Sequence, residues 1–277
     1  MNRLIIFTDL DGTLLDHATY SFEKAQPALN RLKQNNIPLV ICSSKTKTEI
    51  ERYRMQLENN HPFISENGGG IFIPEGYFKN SLQYPPFDVA EENSYHIIRL
   101  GANYGDLRRL IEELRREGFG VRGFGDMTAK EVAELTGLGF FEAELAKERD
   151  FDEPFIFEGN EGERPALLNA IREKGFHVTQ GRFYHLIGNS DKGKAASILI
   201  DLYKMNFGKI LTVAVGDSPN DLPMLEAVDV PIVVQKTDGK YDPHVNLPNL
   251  TKANGIGPEG WNKAILRLLS TSRFSGQ

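Results

Sequence analysis

Phe7-Thr8-Asp9-Leu10-Asp11-Gly12-Thr13-Leu14, which continues the apolar run Leu4-Ile5-Ile6-Phe7, is the stretch on which the fold turns. A continuous apolar run stopped by an acidic residue and a glycine reads as a strand buried on both faces of a parallel sheet. Side chains two apart at a strand end face the same way, so Asp9 and Asp11 project towards one point. Gly12 permits the sharp turn that follows. Two carboxylates forced together favour a hard cation with oxygen ligands, or raise the pKa of one of them. Alone, the same four residues equally describe a strand end running into an Asx-type turn.

Downstream, Phe22, Ala25, Ala28, Leu29 and Leu32 recur at helical spacing, with Pro27 tolerated only near the helix start. Residues 37–42 form a second strand, and Thr46 with Glu49 makes a capping box for the next helix. A right-handed crossover makes the two strands parallel. The end of the chain has the same grammar: a helix over 191–206, a strand over 210–215, a short helix over 219–228, a strand over 230–234, and a closing helix carrying Trp261, Ile265, Leu268 and Leu269. The middle differs. Shorter strands at 95–100, 154–157, 176–179 and 182–186 interleave with amphipathic helices near 105–117, 128–135, 139–148 and 164–174. Thr128 and Glu131 repeat the capping box, and Pro165 suits a first helical turn. The pattern predicts an α/β protein: a doubly wound, Rossmann-like core of residues 1–83 and 186–277, and an inserted α+β cap domain of residues 84–185. Pro85-Pro86 reads as a hinge and residues 270–277 as a frayed tail.

Lys plus Arg number 32 against 38 Asp plus Glu, a net charge of −6 that disfavours nucleic acid or an anionic membrane as partner. The lone Cys42 excludes an internal disulfide and, inside Pro38-Leu39-Val40-Ile41-Cys42, reads as a buried, inert thiol. No segment approaches the roughly 18 consecutive apolar residues of a membrane span, and the first residues lack a signal peptide, so a cytoplasmic location is expected.

A second acidic cluster, Gly216-Asp217-Ser218-Pro219-Asn220-Asp221, also follows an apolar strand. Strand carboxyl ends of a parallel sheet meet at one edge, where ligands bind, so Asp217 and Asp221 can meet Asp9 and Asp11. Ser43 and Ser44 end the second strand, where hydroxyls and free N–H groups can hold an anion, and Lys192 lies at the mouth of a helix. Each is ordinary by itself. A serine there can be a helix cap, and a lysine a solvated charge.

Their order resembles the haloacid dehalogenase superfamily of phosphohydrolases: Asp9-Leu10-Asp11-Gly12-Thr13, then Ser43, then Lys192, then Gly216 to Asp221. The resemblance implies Asp9 as nucleophile and Asp11 as acid and then base. It implies Ser43 and Lys192 on the phosphoryl oxygens. It further implies Mg²⁺ on Asp9, the Asp11 carbonyl and Asp217, with Asp221 supporting the metal site or Lys192. More closely, Ile41-Cys42-Ser43-Ser44-Lys45-Thr46, Ser65-Glu66-Asn67-Gly68-Gly69-Gly70 and the run Gly181 to Ala195 resemble mannosyl-3-phosphoglycerate phosphatases. This implies a small phosphorylated sugar as substrate, hydrolysed to mannosylglycerate and phosphate. Such a substrate carries a carboxylate besides its phosphate, so further cations are expected around it: Lys45, Arg182 and His185, with the N–H groups of Gly68 and Gly69, and Ser44 and Asn220 alongside. A glucosyl-3-phosphoglycerate or general sugar-phosphate phosphatase, a phosphomannomutase-like phosphotransferase, and a non-catalytic sugar-phosphate sensor stay open, as does a monomer or homodimer.

Overall fold

The computed structural model describes residues 3–79 and 89–270. Its strands are β1 (Arg3–Thr8), β2 (Leu39–Cys42), β3 (Phe63–Ser65), β4 (Gly70–Pro74), β5 (Val89–Glu92), β6 (Tyr95–Arg99), β7 (Val121–Gly123), β8 (Asp152–Phe157), β9 (His177–Gln180), β10 (Tyr184–Ile187), β11 (Ile210–Gly216), β12 (Val230–Gln235) and β13 (Thr251–Ile256). Nine of them form one sheet in the order β13-β12-β11-β1-β2-β3-β4-β6-β5. From β13 to β3 all pairs are parallel, and β4, β6 and β5 add an antiparallel edge.

β1 sits between β11 and β2 and alternates its burial, Leu4 and Ile6 on one face, Ile5 and Phe7 on the other. The first face is covered by α1 (Gln26–Gln34), with Pro27 in its first turn, and by a late helix over 258–270 that carries Trp261 and Ile265. The second face packs on a helix over 192–207 through Ala195, Leu199 and Tyr203. A strand covered on both sides has no need of polar alternation, which is why the apolar runs were readable. Cys42 is buried there, and burial pushes its thiol up.

Four strands form a second sheet, β7-β8-β10-β9, all antiparallel. Helices α3 (Tyr104–Arg116) and α6 (Arg164–Glu173) pack on one side of it. The other side meets α4 (Ala129–Thr136), and α4 packs with α5 (Phe140–Ala146) around Phe124 and Val132. This is the inserted α+β unit, with two differences from the sequence reading. The strand at 95–100 is not in it. Ile97 and Ile98 are buried against Phe72 and Ile71, so the segment pairs with β4 and extends the large sheet. The chain returns later than His185, because Leu186 and Ile187 still pair with β8 and β9. The crossing segments run side by side, Gly188 so close to Ala102 that a Cβ would lie 2.6 Å from its nitrogen. The expected boundary at Tyr84, the hinge at Pro85-Pro86 and all of the tail beyond Ser270 lie outside the described residues. No described helix is long and apolar enough to cross a membrane.

Both predicted capping boxes are present, Thr46–Glu49 opening α2 (Lys47–Leu57) and Thr128–Glu131 opening α4. They differ in burial. Thr46 is fully buried and its hydroxyl also donates to the Leu145 carbonyl of the inserted unit at 2.9 Å, whereas the Thr128 cap is exposed. Thr128→Ala is therefore expected to cost about 1 kcal/mol, the usual worth of an N-cap. Thr46→Ala should cost about 2 kcal/mol, because it also removes a buried hydrogen bond to the inserted unit. Urea unfolding of the two variants measures the difference; equal losses would contradict it.

Candidate active site

β1 and β11 are parallel neighbours with Thr8 opposite Val215, so the next residues at their carboxyl ends stand side by side. The Asp9 amide donates to the Val215 carbonyl at 3.0 Å, which holds the end of β1 straight. Carboxylate oxygens of Asp9, Asp217 and Asp221 lie within 4.8 Å of one another, and all three residues are buried. Between them sits Lys192, the first residue of α7 (Lys192–Phe207); its Nζ donates to Asp9 Oδ1 and to Asp221 Oδ1, each at 2.6 Å. Asp221 is used up: its Oδ2 accepts the amides of Asp217 and Ser218 at 3.0 and 3.1 Å. Asp217 accepts from Thr13 Oγ1 at 3.1 Å and Ser218 Oγ at 2.9 Å. Trp261, in the closing helix (Pro258–Ser270), donates its indole N–H to Thr8 Oγ1, which donates to the Asp9 carbonyl at 2.8 Å.

This packing sets the charges. Burial pushes the Asp9 carboxyl well above its usual range, Asp221 and Asp217 adding to it against the pull of Lys192. Burial, with Asp221, pushes Asp217 up to about 7. Lys192 is held above the ordinary lysine range because Asp221 and Asp9 outweigh the cost of burying its ammonium. Three buried carboxylates facing one ammonium are a surplus of negative charge and of hard oxygen donors, the condition that a divalent cation satisfies.

Asp11 does not join the trio through its side chain. It turns to the loop after β2, where Lys45 Nζ lies 3.1 Å from Asp11 Oδ2 and 3.2 Å from Glu49 Oε1. Ser43 is fully buried, its Oγ accepting the Lys45 amide at 3.3 Å, while Ser44 faces the cavity. The cavity opens between the two sheets; Asp9, Asp11, Asp217 and Asn220 line it from below, and Phe124, Arg149, Arg182, Phe183 and His185 from the inserted unit. Arg182 donates to the carbonyl of Thr136 at 2.7 Å and reaches Tyr20 Oη at 3.4 Å, at the mouth.

Gly68 and Gly69 are not in the cavity wall, contrary to the expectation that their N–H groups meet an anion. The Gly69 amide already donates to the carbonyls of Ser65 and Glu66. Gly68, at φ +91°, lets the turn touch the start of α7, where a Cβ would lie 2.1 Å from the Asp191 carbonyl oxygen. Gly68 thereby sets the place of Lys192, whereas Gly69 lets the turn pack on Phe151. Lys45 is likewise buried and paired with carboxylates, not a free surface cation.

Sequence reasoning missed the joint between the two units. Glu66 accepts the amides of Asp150, Phe151 and Asp152, and burial with the nearby Asp152 pushes its carboxyl up to about 8. Asp152, fully buried, binds Arg149, His185 and Asn67 together, and Asn67 in turn accepts from Asn220. Arg149 also donates to the Ser44 carbonyl at 3.1 Å, tying the insert to the phosphate-side loop. Glu66 and Asn67 stood in a stretch the sequence singled out, and His185 and Asn220 were named, but nothing local pointed to Arg149 or Asp152 or to the meeting of these groups from distant segments.

A sequence model of haloacid dehalogenase-like hydrolases matches residues 6–116 and 166–243, and the chain belongs to this family. It is 49% identical over 267 residues to the glucosyl-3-phosphoglycerate/mannosyl-3-phosphoglycerate phosphatase of Methanococcoides burtonii, covering 96% of this chain and 97% of the relative. It is 42% identical over 233 residues to the mannosyl-3-phosphoglycerate phosphatase of Pyrococcus horikoshii, covering 83% of this chain and 90% of the relative. Among solved structures it resembles Thermoplasma acidophilum 0175 with a TM-score of 0.68 at 17% identity, covering 96% and 98% of the two chains, a likeness of fold.

The raised carboxyls give the metal-free protein a defined pH response. Asp217 holds a proton in the folded state up to about pH 7 but releases it near its ordinary value of 3.8 when unfolded. The folded state thus binds more protons in that window, so stability falls as pH rises from about 4 to about 7. Chelator-treated protein should melt at higher temperature at pH 5.5 than at pH 7.5, and Asp217→Asn should flatten the slope. A melting temperature that climbs over this window in chelator would contradict the assignment.

Proposed function

We propose that the protein is a Mg²⁺-dependent phosphatase that hydrolyses mannosyl-3-phosphoglycerate to mannosylglycerate and phosphate, and accepts the glucosyl compound as well. The observation that carries the reaction is Lys192 bridging Asp9 and Asp221 beside Asp217 at the end of β1. The substrate rests on the named relatives, which match across almost the whole length of the chain.

The donor set fits the cation. Three buried carboxylates meet there, two of them pushed up by crowding, and oxygen donors suit Mg²⁺. Asp9, the Asp11 carbonyl and Asp217 would hold it, while Asp221, engaged by Lys192 and two amides, supports the group from behind. When bound, Mg²⁺ supplies positive charge that screens an anionic carboxylate from an anionic phosphate.

Asp9 attacks phosphorus through a carboxylate oxygen, and the bond from phosphorus to the glycerate oxygen breaks. Asp11 gives its proton to that departing oxygen, and Asp9 carries the phosphoryl group as an aspartyl-phosphate. Water then attacks the phosphorus and passes a proton back to Asp11; the Asp9–phosphorus bond breaks and phosphate leaves. Lys192, bonded to Asp9, and Ser43, buried at the end of β2, would hold the phosphoryl oxygens, whose negative charge spreads in the loose transition state. Ser44, Arg182 and Asn220 line the cavity and would meet the remainder of the substrate, with the insert limiting the access of bulk water.

The test is phosphate release from mannosyl-3-phosphoglycerate, glucosyl-3-phosphoglycerate and hexose phosphates. Both hexosyl-phosphoglycerates should turn over in Mg²⁺ and stop in chelator. Asp9→Asn should fall to background with its fold intact, and Asp11→Asn should lose about 10²–10⁴-fold, the range of acid–base catalysis. Turnover by Asp9→Asn would overturn the mechanism, and phosphate transfer to a second sugar would move the enzyme to the phosphotransferases.

A further inference from the structure

Lys45 is a buried lysine held by two carboxylates in a cavity that must accept an anion. Its Nζ lies 3.1 Å from Asp11 Oδ2 and 3.2 Å from Glu49 Oε1. Two tyrosine rings flank it, Tyr20 with its centroid 5.1 Å and Tyr53 with its centroid 5.7 Å from the ammonium. Glu49 is itself fixed, since its second oxygen accepts the Thr46 amide at 2.9 Å as half of the capping box. The chain of restraint therefore runs from a helix N-terminus, through Glu49 and Lys45, to one oxygen of Asp11.

The other oxygen of Asp11, Oδ1, is buried and has no partner. An Asp side chain without anchors rotates about two torsions, and a proton donor acts only within about 3 Å of the oxygen it serves. With Oδ2 held by Lys45, the rotation is restrained and the partly exposed carboxyl keeps one orientation on the cavity wall. Lys45 also has no capacity to spare for a substrate anion, since two carboxylates already neutralise its single charge.

We propose that Lys45 is a positioning residue for the phosphatase reaction, holding the Asp11 carboxyl towards the leaving oxygen in the first step and towards water in the second. This rests on the acid–base role of Asp11 given above. In the first step the Asp9 oxygen bonds to phosphorus, the phosphorus–glycerate oxygen bond breaks, and the Asp11 proton goes to the glycerate oxygen. In the second, the water oxygen bonds to phosphorus, the Asp9–phosphorus bond breaks, and a water proton goes to Asp11. Removing Lys45 should impair both proton transfers while leaving the attack by Asp9 intact.

The experiment compares wild type, Lys45→Met, Glu49→Gln and Asp11→Asn on mannosyl-3-phosphoglycerate, a simple hexose phosphate and p-nitrophenyl phosphate, by stopped flow. p-Nitrophenolate departs as a stable anion and needs no proton, so its release isolates the attack by Asp9. Lys45→Met should lose about a hundredfold in kcat on both sugar substrates with KM within about threefold, within the range of general acid–base effects. On p-nitrophenyl phosphate it should release one equivalent of nitrophenolate per site in a burst, followed by slow turnover limited by water attack. Glu49→Gln should show the same signature more weakly, and carries the test should Lys45→Met not fold by circular dichroism. A rise in KM confined to the carboxylate-bearing substrate would make Lys45 a substrate ligand and overturn the proposal. So would an equal loss on all three substrates without a burst. Asp11→Asn is the control: if it too lacks a burst, the acid–base reading of Asp11 fails, whereas a burst in Asp11→Asn alone sinks only the role of Lys45.

Discussion

Like charges packed at the ends of parallel strands are the constraint around which the molecule is built. Asp9, Asp217 and Asp221 are pressed together in a buried cluster, and among the described residues Lys192 is the cation bonded between Asp9 and Asp221. Buried ions cost several kcal/mol each unless paired with good geometry. The surrounding structure supplies that geometry. Gly68 admits the start of α7, two amides and Lys192 saturate Asp221, and Trp261 steadies the end of β1 through Thr8. A site crowded this way favours ligands that bring positive charge.

The inserted unit depends on the same core. Its return strand β10 leads through residues 188–191 straight into Lys192, so the insert and the buried ammonium are neighbours in sequence as well as in space. The joint is polar rather than greasy: Glu66 collects three amides from residues 150–152, and Asp152 holds Arg149, His185 and Asn67. Hydrogen bonds of this kind are directional, so they specify one closed geometry more sharply than an apolar patch of equal area. Asn67 and Asn220 continue the network to the loop of Asp217 and Asp221.

How far the chain could be read residue by residue follows from how local each signal was. β1, β2 and β11 are buried on both faces and announce themselves as apolar runs, and the capping boxes at Thr46 and Thr128 are four-residue signals. The strand at Tyr95–Arg99 was legible as a strand but not as a member of the large sheet, because strand pairing is a long-range choice. Gly68 and Gly69 looked like an anion cradle. Their amide and surface requirements are met instead by the turn itself and by Asp191. Lys45 looked like a free cation because its partners, Asp11 and Glu49, come from two different elements.

By itself, then, the sequence determined the α/β alternation, the acidic strand ends and the order of Asp9, Asp11, Ser43, Lys192, Asp217 and Asp221, since these depend on spacing along one strand or one turn. Tertiary structure alone decided that Lys192 bridges Asp9 and Asp221, that Lys45 grips one oxygen of Asp11, and that Glu66 and Asp152 lock the insert to the core. The reason is electrostatic. A buried charge is tolerable only beside its partner, and where the partner stands is fixed by the packing of sheet and helix, not by distance along the chain.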